Sequence, residues 1–257
     1  MRRGLARSRD HAARLVSDGR VRVAGRPASK PATGVTTGDP ILVTEADGPD
    51  EYVSRGGHKL AGALDAFAAT GLTVRGKRCL DAGASTGGFT DVLLRRGAAH
   101  VVAVDVGYGQ LAWALRQDER VSVHDRTNVR EISAEVIGGP VDLVAADLSF
   151  ISLTLVLGAL VACATPEADL VLMVKPQFEV GKERVGKGGV VRDPALRAEA
   201  VRTVADAARG HGLGVCGIAA SPLPGPSGNV EYFVWLEAGA PPLDPAMLDR
   251  AVEEGPA

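Results

Sequence analysis

Residues 81–105, "DAGASTGGFTDVLLRRGAAHVVAVD", set a glycine-rich turn between two apolar runs and close on an acid. "RCLDAG" (78–83) reads as a short apolar strand, "FTDVLLRRG" (89–97) as a helix with Gly97 past its end, and "HVVAVDVG" (100–107) as the next strand. The stretch is therefore a β-α-β unit whose glycine turn joins its first strand to its helix. Backbone N–H groups at such a helix start bind polar or anionic groups, and the missing side chains let a ligand approach closely. Asp105 ends the second strand at about the ~20-residue distance where an acid meets ribose hydroxyls.

The pattern is Asp81-x-Gly83-x-x-x-Gly87-Gly88, followed by Phe89, with Ser85 and Thr86 inside the turn. It is not G-x-G-x-x-G. An acid before the first glycine repels a pyrophosphate and suits a ligand carrying an ammonium and a sulfonium, which favours S-adenosylmethionine over a dinucleotide. The plainer reading is a glycine corner between strand and helix; the acids at both strand ends favour the cofactor. Tyr108 in "VAVDVGYGQLAW" (102–113) is placed to pack on an adenine ring. Asp125 and Asn128 in "VHDRTNVRE" (123–131) follow the third strand, where adenine's amino group would be bound. Taken singly, Tyr108 reads equally as core and Asn128 as a helix cap.

Strands and helices alternate beyond this unit: "VDLVAAD" (141–147), "LVLMVKP" (170–176), "GVCGIAAS" (214–221) and "VEYFVWLE" (230–237). "DPALRAEAVRTVADAARGHG" (193–212) is the clearest helix, with Asp193 as cap and Pro194 at its first position. The alternation predicts an α/β fold with an open, mainly parallel sheet, whose ligands bind at the carboxyl ends of the strands. Asp147 and Lys175 end the fourth and fifth strands, and Glu231 starts the last; if that strand is antiparallel, Glu231 faces the same edge. Lysines and acids beside a sulfonium suit methyl transfer to a hydroxyl, which needs a base of lowered pKa. Each residue also has an ordinary reading: a surface Lys-Pro turn, a helix cap, an ion-pair partner.

The 257 residues carry a formal charge of −2 that hides an asymmetry: residues 1–30 hold +7, and the remainder −9. A basic head on an acidic body is an electrostatic footprint for a polyanion. In "ARSRDHAARLVSDGRVRVAGRPASK" (6–30), Ser8 is the expected cap of a helix with Ala12, Ala13, Leu15 and Val16 on its apolar face. "VRVAGRPA" then turns at Gly25, and "PILVTE" (40–45) supplies a third strand. Arg7, Arg9, Arg14, Arg20, Arg22 and Lys30 are the candidate RNA-binding residues of this unit. "FEVGKERVGKGGVVRDP" (178–194) brings Lys182 and Lys187 to a glycine-rich segment that reads equally as a mobile substrate loop or a solvated connector. Cys79, Cys163 and Cys216 are scattered among apolar residues, with no metal-ligand spacing. The longest apolar runs are strand-sized and no secretory signal is visible, so a soluble, cytoplasmic protein is expected.

Two resemblances add to this reading. Residues 1–45 resemble the small RNA-binding module shared by a ribosomal small-subunit protein, pseudouridine synthases and some tRNA synthetases, through "SR..A..L", "GRV.V.G", Lys30–Pro31 and "GD.I" at Gly38–Ile41. Such modules have a helix before the segment that begins here at Met1, so the unit is expected to be shortened or the start placed too late. The combination "SRGGHKL", "DAGASTGGFTDVLL", "DVGYGQLAW", "DLSFISL", "VKPQFEVGK" and "PLPGPSGNVEYF" resembles the TlyA family, bacterial rRNA ribose 2′-O-methyltransferases once called hemolysins. The resemblance implies a Rossmann-like, S-adenosylmethionine-dependent methyltransferase with its last strand antiparallel. It implies a catalytic set of Lys59, Asp147, Lys175 and Glu231, with Arg55 beside Lys59 facing RNA, and cytidine ribose methylation in 16S or 23S rRNA. It also implies a link to capreomycin-class antibiotic sensitivity. The expected layout is a module over 1–45, a linker over 46–53, the methyltransferase domain over 54–240 and a tail over 241–257. The alternatives are methylation of a base or small molecule, a non-catalytic ribosome-binding factor, and a membrane-lytic protein. The last has no apolar span to support it.

Overall fold

The computed structural model describes residues 5, 12–13, 15–16, 21–28, 30, 32–36, 38–43, 52–225 and 227–255. Arg7, Arg9, Arg14, Arg20 and Ser8 lie outside the described residues. The chain divides into two compact units, 1–51 and 52–257, the break falling inside the expected linker.

In the small unit, Ala12, Ala13, Leu15 and Val16 are helical, as their spacing predicts. Three antiparallel strands follow, β1 (Val21–Val23), β2 (Arg26–Pro27) and β3 (Ile41–Val43), in the order β2-β1-β3. Ala24 and Gly25 both take left-handed φ values, 47° and 79°, the geometry a two-residue hairpin needs to match strand twist. Leu15, Val21 and Ala28 form its buried centre, and Arg22 and Lys30 are exposed.

The large unit carries a seven-stranded sheet: β4 (Arg78–Ala82), β5 (His100–Val104), β6 (Val121–His124), β7 (Val141–Ala146), β8 (Ala164–Val174), β9 (Leu213–Ala220) and β10 (Tyr232–Ala238). The order is β6-β5-β4-β7-β8-β10-β9, and β10 alone runs antiparallel to its neighbours β8 and β9. Alternation along each strand divides the core between two layers. Cys79, Val101, Ala103, Leu143, Ala145, Val171 and Met173 face α1 (Arg55–Ala68) and α2 (Gly88–Arg95). Leu80, Ala82, Val102, Val144, Ala146, Leu170 and Leu172 face α4 (Leu157–Ala162), α6 (Pro194–Arg209) and α7 (Pro245–Glu253). The remaining short helices are α3 (Trp113–Arg116) and α5 (Pro176–Glu179). Helix α1 buries Leu60, Ala63, Leu64 and Phe67, one stripe at helical spacing. In α6, Asp193 accepts from the Ala195 N–H and Pro194 opens the helix, as its sequence predicts.

The expected tail over 241–257 is corrected. Its α7 buries Leu248 and Ala251 in the core, and the Val215 N–H donates to Pro241 O at 2.8 Å. The segment covers β9, an edge strand whose open backbone groups need partners.

Candidate functional site

The strand order reverses at β4 and β7, so the loops after these strands diverge and leave a crevice at their carboxyl ends. The glycine turn lies there. Gly83 has φ 89°, and a Cβ at that position would lie 2.4 Å from the Asp147 carbonyl oxygen. Gly87 caps α2 with φ 98°. Both positions require a left-handed backbone, which a side chain resists. Ser85 adopts φ 48° in the same turn, and its N–H donates to Asp105 Oδ2 at 2.8 Å. Asp105 Oδ1 accepts from the Gly107 N–H at 2.6 Å, so the acid closing β5 ties the glycine turn to the start of its own loop.

Asp81 points from β4 toward α2. It is fully buried, its Oδ2 accepts from Thr90 Oγ1 at 2.6 Å, and its Oδ1 has no hydrogen-bond partner among the described residues. Burial pushes its pKa up to about 7; the Thr90 hydroxyl opposes that rise, and the charges of Asp147 and Asp105 add to it. A buried, unpartnered carboxylate oxygen behind a glycine turn fits a cationic ligand seated in that turn. Tyr108 is exposed beyond Asp105, with the Arg126 guanidinium 4.3 Å from its ring centroid. Asp125 is held by Arg116 at 2.5 Å and by the Gly109 N–H at 3.3 Å. Asn128 is a cap: its Oδ1 accepts from the Arg130 N–H, leaving only its amide nitrogen for a ligand. Thr86, Gly88 and Phe89 lie at the helix entry, where Thr86 O accepts from the Ala112 N–H and Phe89 is buried.

Sheet register brings the other candidates to the same edge. The Asp147 N–H donates to Ala82 O at 3.0 Å, directly beside Gly83. Val174, just before Lys175, pairs with Tyr232, just after Glu231. Lys175 Nζ lies 2.5 Å from Asp147 Oδ1, off the hydrogen-bonding direction, and donates to Ser149 Oγ at 3.0 Å. Lys59, from the first half of α1, donates to Glu231 Oε2 at 2.5 Å. Both lysines and Glu231 are buried. The two lysines are each matched to one acid, an arrangement that spacing alone does not reveal.

Several residues at this edge escaped the sequence reading. Phe150, three positions after Asp147, is 91% exposed with a left-handed φ of 65°. Its ring centroid lies 5.3 Å from that of Phe178, three positions after Lys175. Both lie within quoted motifs, but only a structure shows an aromatic side chain held open to solvent. Asn229 is buried; its Oδ1 accepts from the Val191 N–H at 2.9 Å and its Nδ2 donates to Gly189 O at 2.8 Å. It thereby ties the 178–194 segment to the start of β10. Lys182 and Lys187 remain exposed on that segment, and Arg55 is exposed with its Nη2 3.4 Å from Pro224 O. Among the described residues, no group of three or more His, Cys, Asp or Glu is placed to hold a metal, and no helix is long and apolar enough to cross a membrane.

Residues 52–238 match the family model of the FtsJ-like methyltransferases, and residues 2–41 match the S4 domain. The 16S/23S rRNA (cytidine-2′-O)-methyltransferase TlyA of Mycobacterium tuberculosis is 60% identical over 100% of this chain and 96% of its own length. The 23S rRNA (cytidine-2′-O)-methyltransferase TlyA of Campylobacter jejuni is 37% identical over 72% of this chain and 70% of its own. The solved structure of a hemolysin-named protein from Streptococcus thermophilus superposes with a TM-score of 0.79 at 38% identity, covering 98% of this chain and 92% of that one. With an S4 domain ahead of an FtsJ-like domain and this likeness over its full length, the chain belongs to the TlyA family of FtsJ-like methyltransferases.

Proposed function

We propose that the chain methylates the ribose 2′-hydroxyl of a cytidine in ribosomal RNA, using S-adenosylmethionine. The observation that carries the reading is the pair of lysine–carboxylate contacts, Lys175–Asp147 half-buried and Lys59–Glu231 buried, at the sheet edge that also holds the glycine turn. The names of the relatives support the substrate.

S-adenosylmethionine would supply a methyl group activated by a positive sulfur, with a neutral thioether as the leaving group. Asp81 Oδ1 would hold the ammonium of S-adenosylmethionine, Asp105 its ribose hydroxyls and Tyr108 its adenine. Gly83 and Gly87 let the turn pack closely, Gly83 against the Asp147 carbonyl and Gly87 against Leu111 and Leu115, which sets its shape. Lys175 Nζ would take the 2′-hydroxyl proton as the ribose oxygen bonds to the methyl carbon. Asp147 and Ser149 aim its amine, and proximity to the methyl supplies much of the rate. Lys59 and Glu231 hold the sugar. The exposed Phe150 ring, packed on the half-buried Phe178, offers an unstacked base of the RNA a stacking surface. Arg22, Lys30, Arg55, Lys182 and Lys187 contact phosphate, whose release of counterions makes binding salt-dependent.

Methyl-labelled cofactor and unmodified ribosomal subunits test this directly. Label on a ribose that falls about 10²–10⁴-fold in Lys175→Ala is the expected result, the range for a lost general base. Label on a base, or full activity in Lys175→Ala, would overturn the assignment.

A further inference from the structure

Two loops carry the proposed reacting groups. One leaves β7 with Asp147, Ser149 and Phe150; the other leaves β8 with Lys175 and Phe178. They touch through Lys175 to Asp147 and Ser149, and through the two phenylalanine rings. A third connection closes the ring behind them. Glu179, the last residue of α5, accepts from Ser152 Oγ at 2.5 Å through Oε2 and from the Leu153 N–H at 2.9 Å through Oε1. The Ser152 hydroxyl, donating to Glu179, accepts in turn from the Thr154 N–H at 3.2 Å and lies 2.7 Å from Thr154 Oγ1. Leu153 is buried in the core, so the bond anchors the loop to a fixed point.

We infer that Glu179 is a positioning residue that locks the Asp147–Phe150 loop against Lys175 and Phe178. Three observations carry it. Phe150 holds a strained left-handed backbone, which persists only where its surroundings over-determine it. The Lys175 contacts lie before Phe150 and the Glu179 contacts after it, so the strained residue is braced on both sides. A local cap for the turn at 153–155 is already present in Ser152, which accepts from Thr154 N–H. The added carboxylate comes instead from the element that begins directly after Lys175, and burial pushes its pKa up against the two bonds that favour its charge. Without Glu179 the loop relaxes at Phe150, and Ser149 and Asp147 move away from the lysine. The cofactor turn is braced separately, by Asp105.

The inference rests on the proposed roles of Lys175 and Asp147, and the experiment separates the two. In the full chain, kcat on ribosomal subunits and S-adenosylmethionine affinity by calorimetry are measured for Glu179→Ala, Glu179→Gln, Ser152→Ala and Lys175→Ala. Glu179→Ala is expected to lower kcat about 10²-fold, the scale of a 1 Å misplacement, with cofactor affinity within twofold. Glu179→Gln, whose amide accepts from Leu153 N–H and donates to Ser152, recovers most of kcat. Ser152→Ala, which removes one of the two bonds to Glu179 together with the local cap on the Thr154 N–H, lowers kcat about fivefold to tenfold and carries the test should Glu179→Ala not fold. Unchanged kcat in folded Glu179→Ala or Ser152→Ala, a matching loss of cofactor affinity, or no recovery in Glu179→Gln overturns the inference. Full activity in Lys175→Ala overturns instead the catalytic assignment on which it rests.

Discussion

Asp81 sets stability against cofactor binding. Its carboxyl is fully buried, receives one hydroxyl donor and keeps one oxygen unpartnered. Burial raises its pKa from the ordinary 3.8 to about 7. A rise of that size corresponds to about 4 kcal/mol, an order-of-magnitude figure for a fully buried group. Between about pH 4 and pH 7 the folded chain holds a proton that the unfolded chain has released. The contribution of this group is therefore fully present below its unfolded pKa and is lost as pH rises through about 7. Asp81→Asn keeps an oxygen to accept from Thr90 and carries no titrating charge. At pH 8 it is expected to stabilise the chain by one to several kcal/mol, on the order of the figure above, and to flatten the pH dependence between 5 and 8. The same variant removes the anionic acceptor proposed for the cofactor ammonium. S-adenosylmethionine affinity is expected to fall about tenfold to a hundredfold, the loss of one charge-assisted hydrogen bond of about 1.5–3 kcal/mol. Urea unfolding at pH 6 and pH 8, with calorimetric titration of the cofactor, reads both. A destabilised variant at pH 8 would refute the reasoning about burial. Unchanged cofactor affinity would refute the assigned contact.

Three further outcomes follow from the site. Gly83→Ala places a methyl 2.4 Å from the Asp147 carbonyl on a left-handed backbone, so cofactor binding by calorimetry is expected to be abolished, with Tm lowered. Phe150→Ala removes the exposed half of the aromatic pair; a stacked base is worth about 1–3 kcal/mol, so the KM for RNA rises about 5- to 150-fold while cofactor affinity holds. Asn229→Ala strands the Val191 N–H and Gly189 carbonyl, at a cost of about 1–3 kcal/mol in urea unfolding, and exposes the 181–192 segment to limited proteolysis. An Asn229→Ala chain as stable and as protease-resistant as the parent would show that the tie to β10 does not hold the segment.

The antiparallel sense of β10 came only with the family resemblance, whereas the residues 78–107 unit, the capped helix over 194–209 and β10 as a strand were legible in the sequence. Each is written in a local signal: a period of two or 3.6, a cap, or a glycine where the backbone must turn left-handed. The tail was missed although Asp244 caps α7 and Pro245 opens it, the same local signal as in α6; what only the structure shows is that Leu248 and Ala251 are buried beside β9. Asn128 read equally as ligand contact and cap, since the same amide serves either role and only its neighbours choose between them.

The order of the catalytic candidates along the chain, Lys59, Asp147, Lys175 and Glu231, is a property of the sequence. Their pairing is not. Residues as far apart as 59 and 231 meet because β10 inserts antiparallel between β8 and β9 and carries Glu231 to the edge where α1 crosses. Tertiary structure alone decided that Phe150 stands open to solvent, that Glu179 braces its loop, and that Asp81 is buried enough to titrate near neutrality. Local patterns fix backbone conformation over a few residues. Exposure, desolvation and ion pairing depend on what the remote parts of the chain bring alongside.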